Sequence, residues 1–258
     1  MKLATWNVNS LNVRAPQVID WLKTEQPDVL CLQETKIQDH KFPYDELSQI
    51  GYHAVHLGQK TYNGVAIISR YAIEDVQFDM PDFEDEQKRV VAATIQGIRI
   101  ICVYIPNGQR VGSDKYDYKL SWLNALIAYL KTQLTSYPQL ALLGDYNIAP
   151  EDRDVHDPAA WKDSVLMSTP ERDAFKQLIQ LGLHDSFRLF EQPEKLYSWW
   201  DYRMMAFRRN MGMRIDHILI STPLVRFAKA SWIDKAPRQL ERPSDHTPVV
   251  LELDKLAQ

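Results

Sequence analysis

Short apolar runs separated by polar turns recur along the chain, and their lengths predict strands. KLATWN, DVLCLQE, YHAVHLG, GVAIISR, RVVAATI, RIICVYI, LALLGDYN, RIDHILIS and TPVVLEL are strand-length and either alternate or are rich in β-branched residues. Helical spacing falls between some of them. RAPQVIDWLKTEQ carries apolar positions at Val18, Ile19, Trp21 and Leu22, KLSWLNALIAYLKTQL is the strongest amphipathic segment, and ERDAFKQLIQLG stops at Gly182, a common helix end. The aromatic and apolar stripe of KLSWLNALIAYL reads as core, with no chemistry of its own.

Two pairs of runs follow one another through short links, QGIR in one case and KTYNG in the other, which predicts hairpins. Antiparallel strands mixed with helices imply an α/β sandwich rather than a regular βαβ wind. No stretch reads as a linker and no repeat of 20 to 50 residues is present, so residues 1–258 are expected to form one domain.

Composition narrows the function classes. With 258 residues and 45% apolar content the chain can bury a large core, and its formal net charge of −4 gives no global attraction to a polyanion. Any nucleic-acid partner must therefore be met by a local patch. MKLATWNVNS is not a signal peptide and no window approaches the roughly 20 apolar residues of a membrane span, so a cytoplasmic protein with no membrane partner is expected. Cys31 and Cys102 sit inside apolar runs and read as buried, reduced thiols.

The information lies in the polar residues at strand ends. Asn7 closes the first run, Glu34 closes DVLCLQE, Asp145 and Asn147 follow LALLG, Asp216 opens RIDHILIS, and Asp245 with His246 precedes VVLEL. Each alone is more often a turn former or a satisfied backbone acceptor. Repetition changes the reading: strands of one sheet bring their ends to a common edge, and these oxygens together suit a hard cation such as Mg²⁺, which needs few protein ligands. His246 is then the group expected to titrate near neutral pH, held by a carboxylate such as Asp216. Pro243 and Pro248 stiffen the approach to the last strand and limit the freedom of the Asp245–His246 pair.

WNVNSL, LQETK, YIPNG, GDYNIAP, RIDHIL and SDHTP together resemble the ordered motif set of the exonuclease III class of abasic-site endonucleases, within the endonuclease/exonuclease/phosphatase superfamily. The likeness runs from about Met1 to Leu253. It implies a DNase I-like four-layer α/β sandwich: two packed, mostly antiparallel mixed sheets flanked by helices. It also implies an Mg²⁺ cofactor, with Mn²⁺ as substitute, and hydrolysis of a phosphodiester 5′ of an abasic site or at a 3′ end, leaving a 3′-hydroxyl. The implied partner is double-stranded DNA, bound by a monomer without a nucleotide cofactor.

By the same resemblance, Asn7, Glu34 and Asp245 belong to the metal site and its immediate shell, with Glu34 the main ligand. Asp145 holds or activates the attacking water, Asn147 orients Asp145 and the phosphate, Tyr104 binds the scissile phosphate with Asn107 beside it, and His246, paired with Asp216, contacts a phosphate oxygen. A second metal at Asp145, Asn147 and His246 is left open. Taken without the other motifs, Tyr104 is an ordinary strand aromatic and Asn107-Gly108 an ordinary turn.

YSWWDYRMMAFRRNMGMR interleaves Arg203, Arg208, Arg209 and Arg214 with Trp199, Trp200, Tyr202, Phe207 and four methionines. Arginines neutralise phosphates while flat or pliable side chains stack on or wedge between bases. A solvated basic loop over a Met-rich core patch explains the composition equally well. The resemblance makes this segment a minor-groove loop and one wall of a pocket for an extruded baseless sugar, with Trp199, Met213 and Ile215 around it, Arg110 reaching the duplex and Tyr62 on a backbone-contacting loop.

Two departures bear on substrate choice. Many relatives have tryptophan where Met213 stands, and before Pro170-Glu171-Arg172 relatives often have a small residue followed by an aromatic, whereas this chain has Leu166 and Met167. Bulk there is expected to obstruct the pocket or the path of the 3′ strand. Two rivals remain, a same-fold phosphodiesterase for an inositol phosphate or phospholipid head group, and a non-catalytic DNA-binding module. The Arg-and-aromatic loop argues against the first, and the full set Glu34, Asp145, Asn147, Asp216 and His246 against the second.

Overall fold

The computed structural model describes residues 1–254 and contains two six-stranded sheets packed face to face. The first holds, in spatial order, β13 (Ala228–Ile233), β14 (Val249–Leu253), β1 (Lys2–Asn7), β2 (Val29–Gln33), β4 (Val65–Ser69) and β3 (His53–Leu57). The second holds β5 (Glu74–Phe78), β6 (Val90–Ile95), β7 (Ile98–Tyr104), β8 (Leu140–Asp145), β12 (Asp216–Ser221) and β9 (Leu183–Asp185). Each sheet is antiparallel except for one central parallel pair, β1 with β2 and β7 with β8. A two-stranded ribbon, β10 (Trp199–Trp200) with β11 (Gly212–Met213), stands apart from both.

Helices cover the two outer faces. Trp6, Leu30, Leu32 and Ile68 pack under α1 (Leu11–Glu25) and α2 (Tyr44–Gln49), with Val18, Leu22 and Leu47 facing them. Ile101, Val103 and Leu142 pack under α3 (Asp114–Ser136) and α4 (Thr169–Gln180), which contribute Leu123, Leu126 and Phe175. The short α5 (Thr222–Val225) follows β12. Between the sheets, Leu3, Cys31, Ile67, Ile100, Cys102, Leu143 and Leu251 form the central core. The result is the four-layer sandwich expected from the resemblance.

Central strands thus bury both faces, which is why they read as continuous apolar runs instead of clean alternation. Cys31 and Cys102 are both fully buried and unpaired by any disulfide, in agreement with their reading as core thiols. The predicted hairpins are present: β3 pairs with β4 and β6 with β7, both antiparallel. The sequence reading missed β5, β9, β13 and the β10–β11 ribbon. EDVQF in β5 is almost wholly exposed, AKASWI in β13 alternates only weakly, and the others are two or three residues long.

Among the described residues, no helix is long and apolar enough to cross a membrane.

Candidate active site

The strand-end residues meet at one end of the sandwich, and they arrive from both sheets. This corrects the expectation of a single sheet edge. Asn7 and Glu34 come from the ends of β1 and β2 in the first sheet, and Asp245 and His246 from the lead-in to β14 of the same sheet. Tyr104 and Asp145 end the parallel neighbours β7 and β8 of the second sheet, and Asp216 opens β12 directly opposite Asp145. The antiparallel register of β8 and β12 is what puts two carboxylates side by side.

Hydrogen bonds stitch the two halves together. Asn7 Nδ2 donates to Glu34 Oε1 and to Asp145 Oδ2, each at 2.9 Å. His246 Nδ1 lies 2.9 Å from Asp216 Oδ2, and its Nε2 points toward Asp145 Oδ2 at 3.7 Å. The Asn147 amide N–H donates to Asp145 Oδ1 (2.9 Å), its Nδ2 to the Ile105 carbonyl (2.9 Å), and Asn107 Nδ2 donates to Asn147 Oδ1 (3.0 Å). Asp145, Asn147, Asp216 and His246 are all buried.

Glu34 (φ 50°) and Asn147 (φ 49°), with Asn9 (φ 42°) and Lys36 (φ 54°) two residues beyond Asn7 and Glu34, sit in the left-handed backbone region, which side chains with a Cβ seldom occupy. Strained backbone of this kind persists where surrounding contacts over-determine it, and it gathers at functional sites.

Charge sets the chemistry. Burial pushes the Asp145 carboxyl up to about 7; the His246 cation works against this, while Asp216 and Glu34 add to it. Burial alone pushes the His246 imidazole down, but the carboxylates of Asp216 and Asp145 outweigh it and raise it to about 10. His246 is therefore held as an imidazolium and does not titrate near neutral pH as expected. Burial, with the Glu34 and Asp145 charges, holds the Tyr104 hydroxyl well above its ordinary value, so it is a donor.

Glu34, Asp145 and His246 offer ligand atoms that all lie within 4.8 Å of one another. Two acidic oxygens crowded together, one of them driven toward its protonated form, are what a hard divalent cation relieves, so the Glu34 and Asp145 carboxylates fit one, with the cationic His246 beside it as a hydrogen-bond donor. Asp245 is differently engaged. Its two oxygens accept from Asn9 Nδ2 (2.9 Å) and Trp199 Nε1 (3.0 Å), at the margin of the cluster. The pair Asp245–His246 is held less by Pro243 and Pro248 than by pairing with the ribbon: Trp200 N donates to the Asp245 carbonyl (3.0 Å), Thr247 N to the Ser198 carbonyl (2.9 Å), and Trp199 bridges His246.

Around the cluster, Tyr62 is 68% exposed and borders, with Asn63, Arg89, Tyr104, Asn107 and Lys115, a groove of 620 Å³ running from the cluster. Arg110 is exposed at the far end of the Asn107 turn. Arg208 and Arg209 are exposed, as is Arg203, whose guanidinium is paired with Asp201 (2.6 Å). Arg214 departs from the reading of a basic surface loop. It is buried and holds Asp154 (2.7 Å) and Asp185 (2.8 Å), so it braces the fold and faces no solvent. Met213 and Ile215 are buried with Leu166 and Met167 in one apolar cluster, against which Trp199 packs half-buried.

Three contributors escaped the sequence reading. Lys36 Nζ pairs with Glu34 Oε2 (2.8 Å) and reaches Asn9 Oδ1 (2.6 Å). Arg89 stacks over the Tyr104 ring, 4.7 Å from its centroid, and donates to the Tyr104 carbonyl (3.1 Å). Lys119, inside the helix read as inert core, donates to the carbonyls of Asn107 (3.1 Å) and Asn147 (2.6 Å). Lys36, next to Thr35 in LQETK, and Arg89, at the head of RVVAATI, stood beside residues already singled out.

A family model described as the endonuclease/exonuclease/phosphatase family matches residues 4–246. Exodeoxyribonuclease III of Haemophilus influenzae is 34% identical over 265 aligned positions, covering 98% of this chain and 99% of that protein. An exodeoxyribonuclease of Bacillus subtilis is 35% identical, covering 97% and 98%. Among solved structures, the 3′ phosphatase NExo from Neisseria, bound to product DNA hairpin, has a TM-score of 0.97 at 47% identity, covering 99% of this chain and 100% of that one. An AP endonuclease from Archaeoglobus fulgidus has a TM-score of 0.96 at 41% identity, with the same coverage. The chain belongs to the endonuclease/exonuclease/phosphatase family and, within it, to the exonuclease III type of DNA repair nucleases.

Proposed function

We propose that this nuclease is an Mg²⁺-dependent phosphodiesterase that works chiefly on DNA 3′ ends, removing a 3′-phosphate or a terminal nucleotide to leave a 3′-hydroxyl, and cleaves internal abasic sites slowly. The observation that carries the hydrolytic reading is the convergence of Glu34, Asp145 and His246 from two sheets within 4.8 Å. Glu34 and Asp145, joined by the Asn7 amide, would hold the cation, which would supply charge neutralisation at the phosphate, while the cationic His246 faces the phosphate and is not a ligand.

Asp145, oriented by Asn7 Nδ2 (2.9 Å), accepts one proton of the attacking water as the P–O3′ bond breaks, and the departing 3′ oxygen takes up a proton from solvent to become the hydroxyl. Asn147 fixes the carboxylate through its amide N–H (2.9 Å). His246, kept cationic by Asp216, and the Tyr104 hydroxyl donate to non-bridging phosphate oxygens, where charge grows as the P–O bond breaks. Arg89 stiffens Tyr104 by stacking on its ring. Arg208, Arg209, Arg110 and Tyr62 meet the duplex backbone, and the exposed Met204 and Met205 press toward the groove.

The preference for 3′ ends rests on packing. Leu166 and Met167 are 4% and 5% exposed and fill the space against Met213, Ile215 and Val155 where an extruded sugar would sit. Leu166 holds a left-handed backbone (φ 79°) and its carbonyl accepts from Ala149 N (2.7 Å), so the segment cannot swing aside cheaply. Likeness to a 3′ phosphatase and a 3′-5′ exonuclease, at 47% and 48% identity, supports the same reading. Likeness to an AP endonuclease at 41% favours the second reading, internal cleavage as the main activity.

Side-by-side rates on a 3′-phosphate nick, a recessed 3′ end and an internal abasic duplex decide between them. The first two are expected to exceed the third by at least about tenfold, the size of effect that misplacing a reacting group produces. Faster abasic cleavage establishes the second reading.

A further inference from the structure

Burying a lysine and a glutamate completely takes both out of water, and an apolar pair of similar volume is often at least as stable. Lys119 on α3 and Glu171 on α4 are nonetheless both fully buried and in contact. Lys119 spends its three ammonium protons on three acceptors: Glu171 Oε1, the Asn147 carbonyl (2.6 Å) and the Asn107 carbonyl (3.1 Å). Glu171 in turn accepts from Leu166 N (3.0 Å), Ser168 N (3.1 Å) and Ser168 Oγ (2.5 Å).

Three separate loops therefore end on one ion pair. They are the turn after β7, the turn after β8 and the segment that fills the sugar pocket. Packing repeats the arrangement: a Cβ on Gly108 would stand 3.0 Å from Lys119 Cδ and 3.2 Å from Val165 Cγ2. The two carbonyls that Lys119 grips belong to the residues whose side chains join in the site, Asn107 Nδ2 to Asn147 Oδ1 at 3.0 Å. Asn147 also reaches Asp145 itself, through its amide N–H (2.9 Å) and its Nδ2 (3.4 Å), and the Ile105 carbonyl (2.9 Å).

We infer that Lys119, locked by Glu171, is a positioning residue that sets Asn147, and through it Asp145, in register with the phosphate-contacting turn and the pocket wall. The inference rests on the hydrolytic reading above. An apolar pair can fill the same volume but cannot hold two carbonyls from different turns, which is the reason for a buried ammonium at this place.

Steady-state kinetics on a nicked duplex bearing a 3′-phosphate, with Mg²⁺, test it in Lys119→Met and in the double variant Lys119→Met, Glu171→Leu. The double variant removes the stranded carboxylate and so tests loss of the ammonium without an unpaired buried charge. In both, kcat is expected to fall by about tenfold to a hundredfold, as for a slight misplacement of reacting groups, with KM within about threefold of wild type. Wild-type kcat in a folded double variant would overturn the inference, as would a loss confined to KM. Failure of the double variant to fold would reduce the pair to a folding element and overturn it as well. A wild-type protein inactive on both this nick and an internal abasic duplex would instead sink the hydrolytic reading and identify that as the point of failure.

Discussion

The Nδ1 of His246 lies 2.9 Å from Asp216 Oδ2 and joins the lead-in to the last strand of one sheet to the first residue of a strand in the other. Both side chains are buried, so the bond is shielded from water and the carboxylate holds the imidazole in its cationic form, at about 10. Asp216→Asn keeps a hydrogen-bond partner and removes the charge. Its single-turnover rate on a 3′-phosphate nick is expected to fall by about 10²- to 10³-fold, and NMR titration of His246 to shift downward. A rate within a few-fold of wild type would remove His246 from its assigned role.

His217 is the counterpart, a histidine kept neutral. Its Nε2–H donates to the Ile148 carbonyl (2.9 Å) and its Nδ1 faces the Arg214 guanidinium (3.0 Å), so burial and then that cation push it down to about 4. The unfolded chain takes up a proton near pH 6.5 that the fold refuses. Stability is thus full above about pH 6.5 and is lost as pH falls toward 4, by on the order of 3 kcal/mol from this group. His217→Gln keeps a donor and an acceptor without titrating, and its melting temperature should decline less over that interval. Parallel declines would assign the acid sensitivity elsewhere.

Salt dependence tests the basic loop. Arg208 and Arg209 are exposed, whereas Arg214 is spent on Asp154 and Asp185. Replacing Arg208 and Arg209 with Ala should reduce the slope of log affinity against log salt by roughly 1 to 2, measured on uncleaved duplex. An unchanged slope would mean that the loop does not touch phosphate.

Met167→Ala tests the filled pocket. Met167 packs with Leu166, Met213 and Ile215, and shortening it opens room for a baseless sugar. Abasic cleavage relative to 3′-phosphate removal should rise by about tenfold or more. A constant ratio would show that this cluster does not set substrate choice.

Much of this was legible in the chain because strand-end polar residues stand out against buried apolar runs. Asn7, Glu34, Asp145, Asn147, Asp216 and His246 were all visible in that way, and the structure brings them together. What stayed hidden depends on neighbours distant in sequence. Nothing local marks Lys119 as buried, since its partner Glu171 lies 52 positions away. Arg214 looked like its neighbours Arg208 and Arg209 until Asp154 and Asp185 were found beside it. That His246 stays cationic follows from the Asp216 and Asp145 carboxylates beside it, which no residue type announces. Exposed β5 lacked the apolar signal because almost none of its side chains is buried.

The central claim is that Glu34 and Asp145, from different sheets, hold one divalent cation with His246 at its edge. Mn²⁺ binding followed by electron paramagnetic resonance, alongside turnover, tests it in wild type, Glu34→Gln and Asp145→Asn. Each substitution is expected to weaken Mn²⁺ binding and lower turnover by about 10²-fold or more, with duplex affinity in EDTA unchanged, while EDTA silences the wild type and Mg²⁺ or Mn²⁺ restores it. Wild-type Mn²⁺ affinity and turnover in both variants would contradict the account.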